Sequence, residues 1–180
     1  MKPRLLVATF LAALVAFAGL AVACDGGGEE LTLQEYFQRV DAIFADADAR
    51  IEALPDPGTT IADPQATLEQ KKDTVRDFLT RFVALAADVR DEMAGLQAPP
   101  QVQDAHSDFL AFWRDIGQAG DGVLDRLEGV QSESEFDDTS PDFFAADFFA
   151  IRQRFPDVCS ALQAVADAND IAVDLACAPH

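Results

Sequence analysis

The sequence predicts an all-α fold, an antiparallel bundle of four to five helices followed by an irregular C-terminal tail. Three segments repeat apolar residues every three or four positions, which is the spacing of one helix face. Proline-rich breaks at 55–57 and 97–101 separate these segments by short connections, a pattern typical of antiparallel bundles. No alternating run between turn signals predicts a sheet. The residues after the N-terminal region, 32–180, suit a single domain.

The first 23 residues have the three parts of an export signal, which are a basic start, an apolar middle and small residues before a break at Cys24. The apolar stretch from Leu5 to Ala23 is close to the roughly 20 residues that cross a bilayer, so an uncleaved anchor and an ordinary cleaved signal remain alternatives. Residues 21–24, Ala-Val-Ala-Cys, resemble the lipobox of bacterial lipoprotein signal peptides. That resemblance implies removal of residues 1–23, lipidation of Cys24, and a lipid anchor in the bacterial cell envelope, on the outer side of the cytoplasmic membrane.

The segment 24–31 is predicted to be the lipidated cysteine and a flexible glycine-rich and acidic tether, with a span of roughly 15 Å. The whole chain has 32 acidic and 13 basic residues and a net charge of −19, and cleavage after residue 23 would remove two basic residues and no acidic one. Such a charge repels nucleic acid and anionic headgroups alike. We therefore expect no nucleic-acid partner, and we expect lipid rather than charge to hold the protein to the membrane.

The first predicted helix begins with a capping box of Thr32 and Glu35, and its apolar face continues to Leu54. Asp63 and Pro64 are predicted as the N-cap and first residue of the second helix. The second helix has its apolar face from residue 68 to 96 and the third from 102 to 130.

Three glycines interrupt the third helix, Gly117, Gly120 and Gly122. Each disfavours a helix interior by about 1 kcal/mol relative to alanine. We interpret them as the place of a close helix crossing, with a kink or access to a pocket as alternatives.

An acidic loop of about ten residues, 131–141, is predicted to follow the third helix, and Ser140 and Pro141 to start a fourth. The fourth helix is rich in phenylalanine, and Phe155 lies on its predicted apolar face. We interpret this helix as the one that closes the bundle, while a ligand site or a partner surface remains open. The residues assigned to that surface are Phe143, Phe144, Phe148, Phe149 and Trp113.

A last helix is predicted to start at Pro156, and it contains Cys159. A remaining pair of cysteines in an exported protein usually forms a disulfide, here Cys159–Cys177, although two separate thiols remain the alternative. One continuous helix would hold the two Cα atoms about 27 Å apart, whereas a disulfide needs about 4.4–6.8 Å. Asn169 is therefore predicted as a left-handed C-cap. The alternation of apolar residues in 171–177 then predicts an extended or irregular tail that folds back on the last helix.

No motif indicates catalysis, since the chain has no G-x-S-x-G, P-loop or Rossmann glycine pattern. It also lacks the E-x-x-H pairs of di-iron bundles and the C-x-x-C spacing of zinc sites. Met93 and His106 flank the turn at 97–101, where a haem or copper site is conceivable, but we interpret both as packing residues. Asp104 and Asp108 lie four residues apart on one helix face, a spacing that suits a solvated surface better than a metal site. We expect no enzyme activity, no cofactor and no metal.

Two classes of function remain open. The preferred one is a membrane-anchored module that docks a protein of the envelope, which predicts an exposed apolar patch and no interior cavity. The alternative is a bundle that binds or senses a small molecule or cation in a partly apolar cavity near Trp113, the glycines of helix three and the phenylalanine-rich helix. The chain also resembles small helical lipoproteins of bacteria, a resemblance that implies no particular activity.

Overall fold

In the computed structural model of the chain, residues 31–138 and 147–177 are described, the side chains of 147–149 excepted. Every regular element in these ranges is helical, which confirms the predicted all-α fold. The α-helices are α1 (Leu33–Glu52), α2 (Gly58–Ala62), α3 (Leu68–Ala94), α4 (Gln103–Gly129), α5 (which begins at 133 and is described to 138), α6 (Asp147–Arg152) and α7 (Phe155–Ala168), and a short 3-10 helix spans Pro100–Val102. None of them is both long enough and apolar enough to cross a membrane. The predicted signal peptide, Cys24 and nearly all of the tether lie outside the described residues.

α3 and α4 form a long antiparallel hairpin, around which the other helices are arranged. Each has 27 residues, which corresponds to about 40 Å of helix. Lys72, near the start of α3, donates a hydrogen bond of 2.7 Å from Nζ to the carbonyl of Val130, just after the end of α4. We call the end with the 95–102 connection the turn end, and the end where Lys72 meets Val130 the open end.

Two hydrophobic clusters fill the hairpin, one toward each end. The turn-end cluster joins α1, the second half of α3, the first half of α4, α7 and the tail, and its large members are Tyr36, Phe37, Leu85, Met93, Phe109, Phe112, Trp113, Ile116, Leu162 and Leu175. The open-end cluster is smaller and consists of Val75, Leu79, Val123, Leu127, Val130 and Phe136. Ile61 of α2 packs against the open-end cluster, so the helix between α1 and α3 belongs to that end.

The start of α3 differs from the prediction. α3 begins directly after Thr67, which forms a capping box with Gln70, so the assignment of Asp63 and Pro64 as N-cap and first residue is wrong. The box satisfies two backbone N–H groups at once, whereas the Asp63 carboxylate only closes a turn with the backbone two residues later. The short helix α2 lies between the predicted break at 55–57 and the predicted start of the second helix at Asp63.

The acidic segment after α4 is in part a helix and not only the predicted loop. Ser132 and Glu135 exchange hydrogen bonds in the manner of a capping box, with the Glu135 carboxylate 3.2 Å from the Ser132 backbone nitrogen. α5 follows directly and places Phe136, which is fully buried, in the open-end cluster. The signal is the same S/T-x-x-E pattern that correctly predicted the start of α1 at Thr32 and Glu35.

The predicted fourth helix is described only in its second part. Ser140 and Pro141, its predicted start, lie outside the described residues. Its described part is α6, which ends at Arg152 and is followed by a two-residue turn. Phe155 therefore begins α7 and does not belong to the fourth helix as predicted, while Pro156 lies in the first turn of α7 as predicted.

The chain reverses direction directly after α7, as the disulfide argument requires. At this reversal the residue with left-handed backbone geometry is Asp170, with φ of 55°, and not Asn169 as predicted. The N–H of Ile171 bonds to the carbonyl of Ala166, and that of Asp170 to the carbonyl of Asp167, which is the Schellman pattern. Asn169 is the C-cap as predicted, but its backbone is not left-handed, and it lies one position before the left-handed residue.

The disulfide Cys159–Cys177 is confirmed, with the two Cα atoms 5.4 Å apart. Residues 171–177 have no regular secondary structure and alternate between more and less buried positions, as the period of two predicted. Leu175, only 3 % exposed, is the most buried of them and joins the turn-end cluster.

A close helix crossing is confirmed at one of the three glycines of α4. A Cβ atom on Gly120 would overlap Cγ2 of Val83 on α3, so the two helices approach where the glycine has no side chain. Gly117 has open space around its missing side chain, and the nearest atom to that of Gly122 is the guanidinium of Arg126 at 4.0 Å. The close-crossing interpretation is therefore wrong for Gly117 and Gly122.

Candidate functional site

A cavity of about 670 Å³ opens on the side of the hairpin, between α1, the middle of α3 and α4, and the junction of α6 with α7. Its volume lies within the roughly 300–1,000 Å³ that is typical of small-molecule sites. The lining is mostly apolar and includes seven aromatic side chains, Phe44, Phe78, Phe82, Phe109, Phe112, Trp113 and Phe155. An aromatic concavity of this kind favours an apolar occupant over water.

α1 supplies one wall of the cavity through its C-terminal half. Phe44 stacks on Phe109 of α4, with ring centroids 5.0 Å apart. One turn later Ala47 is buried but presents only a methyl group, and after another turn Ile51 is 40 % exposed. The small residue between two large ones leaves space that a longer side chain at position 47 would fill.

α4 supplies the opposite wall with a cluster of edge-packed rings. Phe112 contacts Trp113 with centroids 5.4 Å apart and Phe155 of α7 with centroids 5.7 Å apart. Trp113 is 7 % exposed, and its Nε1 is buried with no hydrogen-bond partner within the described part of the chain. Such a buried donor is unfavourable by about 1–3 kcal/mol, so this wall is not optimised for stability alone.

The C-terminal tail forms a third part of the lining through Leu175 and Ala176. Gln163 of α7 holds the tail as a neighbouring strand would, because its Nε2 donates to the carbonyl of Val173 and its Oε1 accepts from the N–H of Leu175, both at 2.9 Å. The disulfide at Cys177 fixes the tail two residues further on. The position of this wall therefore depends on both an amide side chain and a covalent bond.

Three polar side chains reach the lining, Asp48 on α1, Arg152 at the end of α6 and Gln153 in the following turn. All three residues are exposed, so they lie where the cavity meets solvent. Polar groups confined to the mouth of an apolar cavity select the orientation of a ligand and the charge of its head.

An ion pair fixes the start of α7 beside α4. Asp115 on α4 accepts hydrogen bonds from Arg114, at 2.8 Å, and from Arg154, at 3.1 Å. These two hydrogen bonds, of which the one from Arg114 has the larger effect, lower the pKa of the Asp115 carboxyl below its ordinary value. Asp115 therefore stays ionised at neutral pH and keeps Arg154, the residue before α7, in place.

His106 and Met93 lie at the turn end and outside the cavity lining. His106 is 7 % exposed, and its Nδ1 is 2.9 Å from the hydroxyl of Tyr36 on α1, a partner that the sequence did not reveal. Burial lowers the pKa of His106 and raises that of Tyr36, so both are neutral near pH 7. Met93 is fully buried in the turn-end cluster. No group of three or more His, Cys, Asp and Glu side chains is placed to hold a metal ion in the ranges described.

Of the residues assigned from the sequence to a partner or ligand surface, Trp113 lies in the cavity lining. Phe143 and Phe144 lie outside the described residues, and Phe148 and Phe149 belong to α6, where their side chains are not described.

The sequence reasoning missed most of the aromatic lining. Phe78 and Phe82 on α3 stack with ring centroids 6.0 Å apart, and Phe112 lies next to Trp113. A signal for this lining was present in the sequence. Phe78 on α3 and Phe112 on α4 lie beside the main apolar face of their helices, and they make that face wider than one neighbouring helix can cover.

Comparisons with known proteins find no relative for this chain. No family model matches the sequence, and neither a curated protein nor a solved structure matches it. The function must therefore be inferred from the site itself.

Proposed function

We propose that this chain is a lipid-anchored binding protein of the bacterial envelope that holds an apolar small molecule in the cavity beside α1. The observation that carries the binding activity is the cavity of about 670 Å³ with its aromatic lining. The anchor is supported by the resemblance of residues 21–24 to a lipobox and by the glycine-rich segment that follows Cys24.

The hydrophobic effect supplies the affinity in this proposal. Apolar surface removed from water contributes about 25 cal/mol per Å². A ligand that covers Ile51 and fills the space beside Ala47 removes both its own surface and that of the lining aromatics from water. The walls are already formed by packed helices and by the disulfide-linked tail, which lowers the entropy loss that binding must overcome.

A docking module receives less support from the described surface. Such a module needs a contiguous exposed apolar patch. Among the described residues, the one large hydrophobic side chain that stands out as exposed is Ile51, and it belongs to the cavity lining. The concave site therefore accounts for the exposed apolar surface better than a convex docking face does.

The fluorescent probe N-phenyl-1-naphthylamine tests the proposal, because it brightens in apolar sites and accepts excitation energy from tryptophan. Trp113 is the one tryptophan of the sequence and lines the cavity. We expect a saturable rise in probe emission, with one probe per chain, and quenching of Trp113 over the same concentration range.

The matched variants are Ile51→Glu and Ala49→Glu, which add the same charge near the end of α1. Ile51 lines the cavity, whereas Ala49 is exposed and does not. Ile51→Glu is expected to weaken probe binding about tenfold, because it puts a charge against an apolar ligand, and Ala49→Glu is expected to leave it unchanged. Absence of saturable binding, or equal effects of the two variants, would overturn the proposal.

A further inference from the structure

We propose that the cavity selects an apolar molecule with a cationic head, such as an aryl or alkyl amine, and rejects the corresponding carboxylic acid. The inference rests on the proposed function, since it names the chemical class of the ligand for the same cavity. It follows from the charges at the mouth, the aromatic walls and the charge of the whole chain.

Asp48 is the charge at the mouth that is available to a ligand. It lies one residue after Ala47 on α1, reaches the cavity lining and is exposed. Its carboxylate makes no hydrogen bond or ion pair with any described residue. A ligand ammonium placed there would gain a partner that the protein itself does not supply.

The nearest arginine on α1 does not neutralise Asp48. Arg50 is surrounded by three other carboxylates, those of Asp46, Asp88 and Glu92, which lie on α1 and α3. Its guanidinium therefore joins α1 to α3 and is already compensated. The local balance at this side of the mouth is negative.

The two arginines at the junction of α6 and α7 are also engaged within the protein. Arg152 reaches the lining but has an interaction of its own. Arg154 pairs with Asp115 at 3.1 Å. A ligand carboxylate would have to compete with these contacts, whereas a ligand cation would meet the unpaired Asp48.

The walls favour the same charge. The faces of aromatic rings carry negative electrostatic potential and attract cations within about 6 Å of the ring centre. Seven aromatic residues line this cavity, and the net charge of −19 raises the local concentration of cations and lowers that of anions. The apolar body and the cationic head of one ligand are therefore accommodated by the same walls.

The test is displacement of bound N-phenyl-1-naphthylamine by decylamine, decanol and decanoate, three ligands of equal chain length, each used below its micelle-forming concentration or solubility limit. We expect decylamine to displace the probe at about tenfold lower concentration than decanoate, with decanol between them. The preference should weaken as salt is raised, because the charges at the mouth are exposed to solvent.

Asp48→Asn and Asp41→Asn provide matched variants on α1, since each removes one exposed carboxylate and only Asp48 lines the cavity. We expect Asp48→Asn to bring decylamine and decanoate to within about twofold of each other and Asp41→Asn to keep the full preference. Displacement by decanoate at least as strong as by decylamine, or equal effects of the two variants, would overturn this inference and leave the proposed function intact. If the probe itself does not bind, the proposed function fails as well.

Discussion

The two ends of the α3–α4 hairpin are stabilised by different means. At the turn end, α1, α7 and the tail surround a large aromatic cluster, and the Cys159–Cys177 disulfide fixes the last of these layers. At the open end the cluster is smaller, and the buried amine of Lys72 satisfies the carbonyl of Val130 that α4 leaves exposed at its end. The cavity lies at the side of the hairpin, and the part of its lining formed by the C-terminal tail belongs to the turn end. Ligand binding should therefore respond to changes at the turn end much more than to equal losses of stability at the open end.

The largest effect is expected from removal of the disulfide, by Cys159→Ala together with Cys177→Ala. The loop that it closes spans 18 residues in sequence, and its loss should lower the free energy of unfolding by about 3 kcal/mol. Urea denaturation measures this loss. Probe affinity should fall as well, because Leu175 and Ala176 line the cavity.

Hydrogen exchange sharpens this first prediction. The amides of residues 171–177 should lose protection in the double variant while those around Phe136 keep it, since the two belong to different clusters. Equal loss of protection at both ends would contradict the distinction between them.

The second effect concerns the close approach at Gly120. Gly120→Ala places a methyl group against Val83, whose branched side chain has one preferred rotamer in a helix. We expect a loss of about 1–3 kcal/mol in the free energy of unfolding, with recovery when Val83→Ala is added. Gly117→Ala is the control and should stabilise the protein by about 0.5–1 kcal/mol, because nothing lies near its new methyl group.

The third prediction concerns a substitution that destabilises the open end alone. Lys72→Met keeps the apolar stem of a residue that is 6 % exposed but leaves the Val130 carbonyl without its hydrogen bond. The free energy of unfolding should fall by about 1–2 kcal/mol, with probe affinity unchanged. Lys71→Met, which removes the neighbouring pair with Glu133, should have a smaller effect that disappears at high salt. A loss of probe affinity in Lys72→Met would show that the ends are coupled.

The smallest effect is a pH dependence at the turn end. Burial lowers the pKa of His106 in the folded protein, so the unfolded chain takes up this proton first as the pH falls below the ordinary value near 6.5. The contribution of neutral His106 is therefore complete above pH 6.5 and is lost as the pH falls through its lowered pKa. Urea midpoints between pH 5 and 8 should decline on the acidic side in the wild type. The decline should flatten in His106→Gln, which retains His180; an unchanged slope would contradict this assignment.

Local patterns in the sequence predicted much of the fold. The box of Thr32 and Glu35 starts α1 as predicted, since it needs only residues three positions apart. The same signature at Ser132 and Glu135 did not lead to a helix prediction, because the segment is acidic and polar. The burial of Phe136 in the open-end cluster was therefore not predicted. The two cysteines required a reversal after α7, although the left-handed residue is one position later than predicted.

The candidate site was much less predictable. Trp113 was identified, but Phe78 and Phe112 were not, since each lies beside the main apolar face of its helix. Whether such a side chain is covered depends on where a third helix crosses, and no local pattern encodes that crossing. For the same reason the sequence did not show that Gly120 alone of three glycines is in contact with another helix.

Periodicity, capping and short motifs act over a few residues, so the helical fold class, the reversal before Cys177 and the resemblance of residues 21–24 to a lipobox could be recognised without the structure. The tertiary structure decided that Tyr36 would pair with His106 across 70 positions and that α1 would leave a cavity beside Ala47. These features depend on the crossing of helices distant in sequence, where the shapes of many side chains act together.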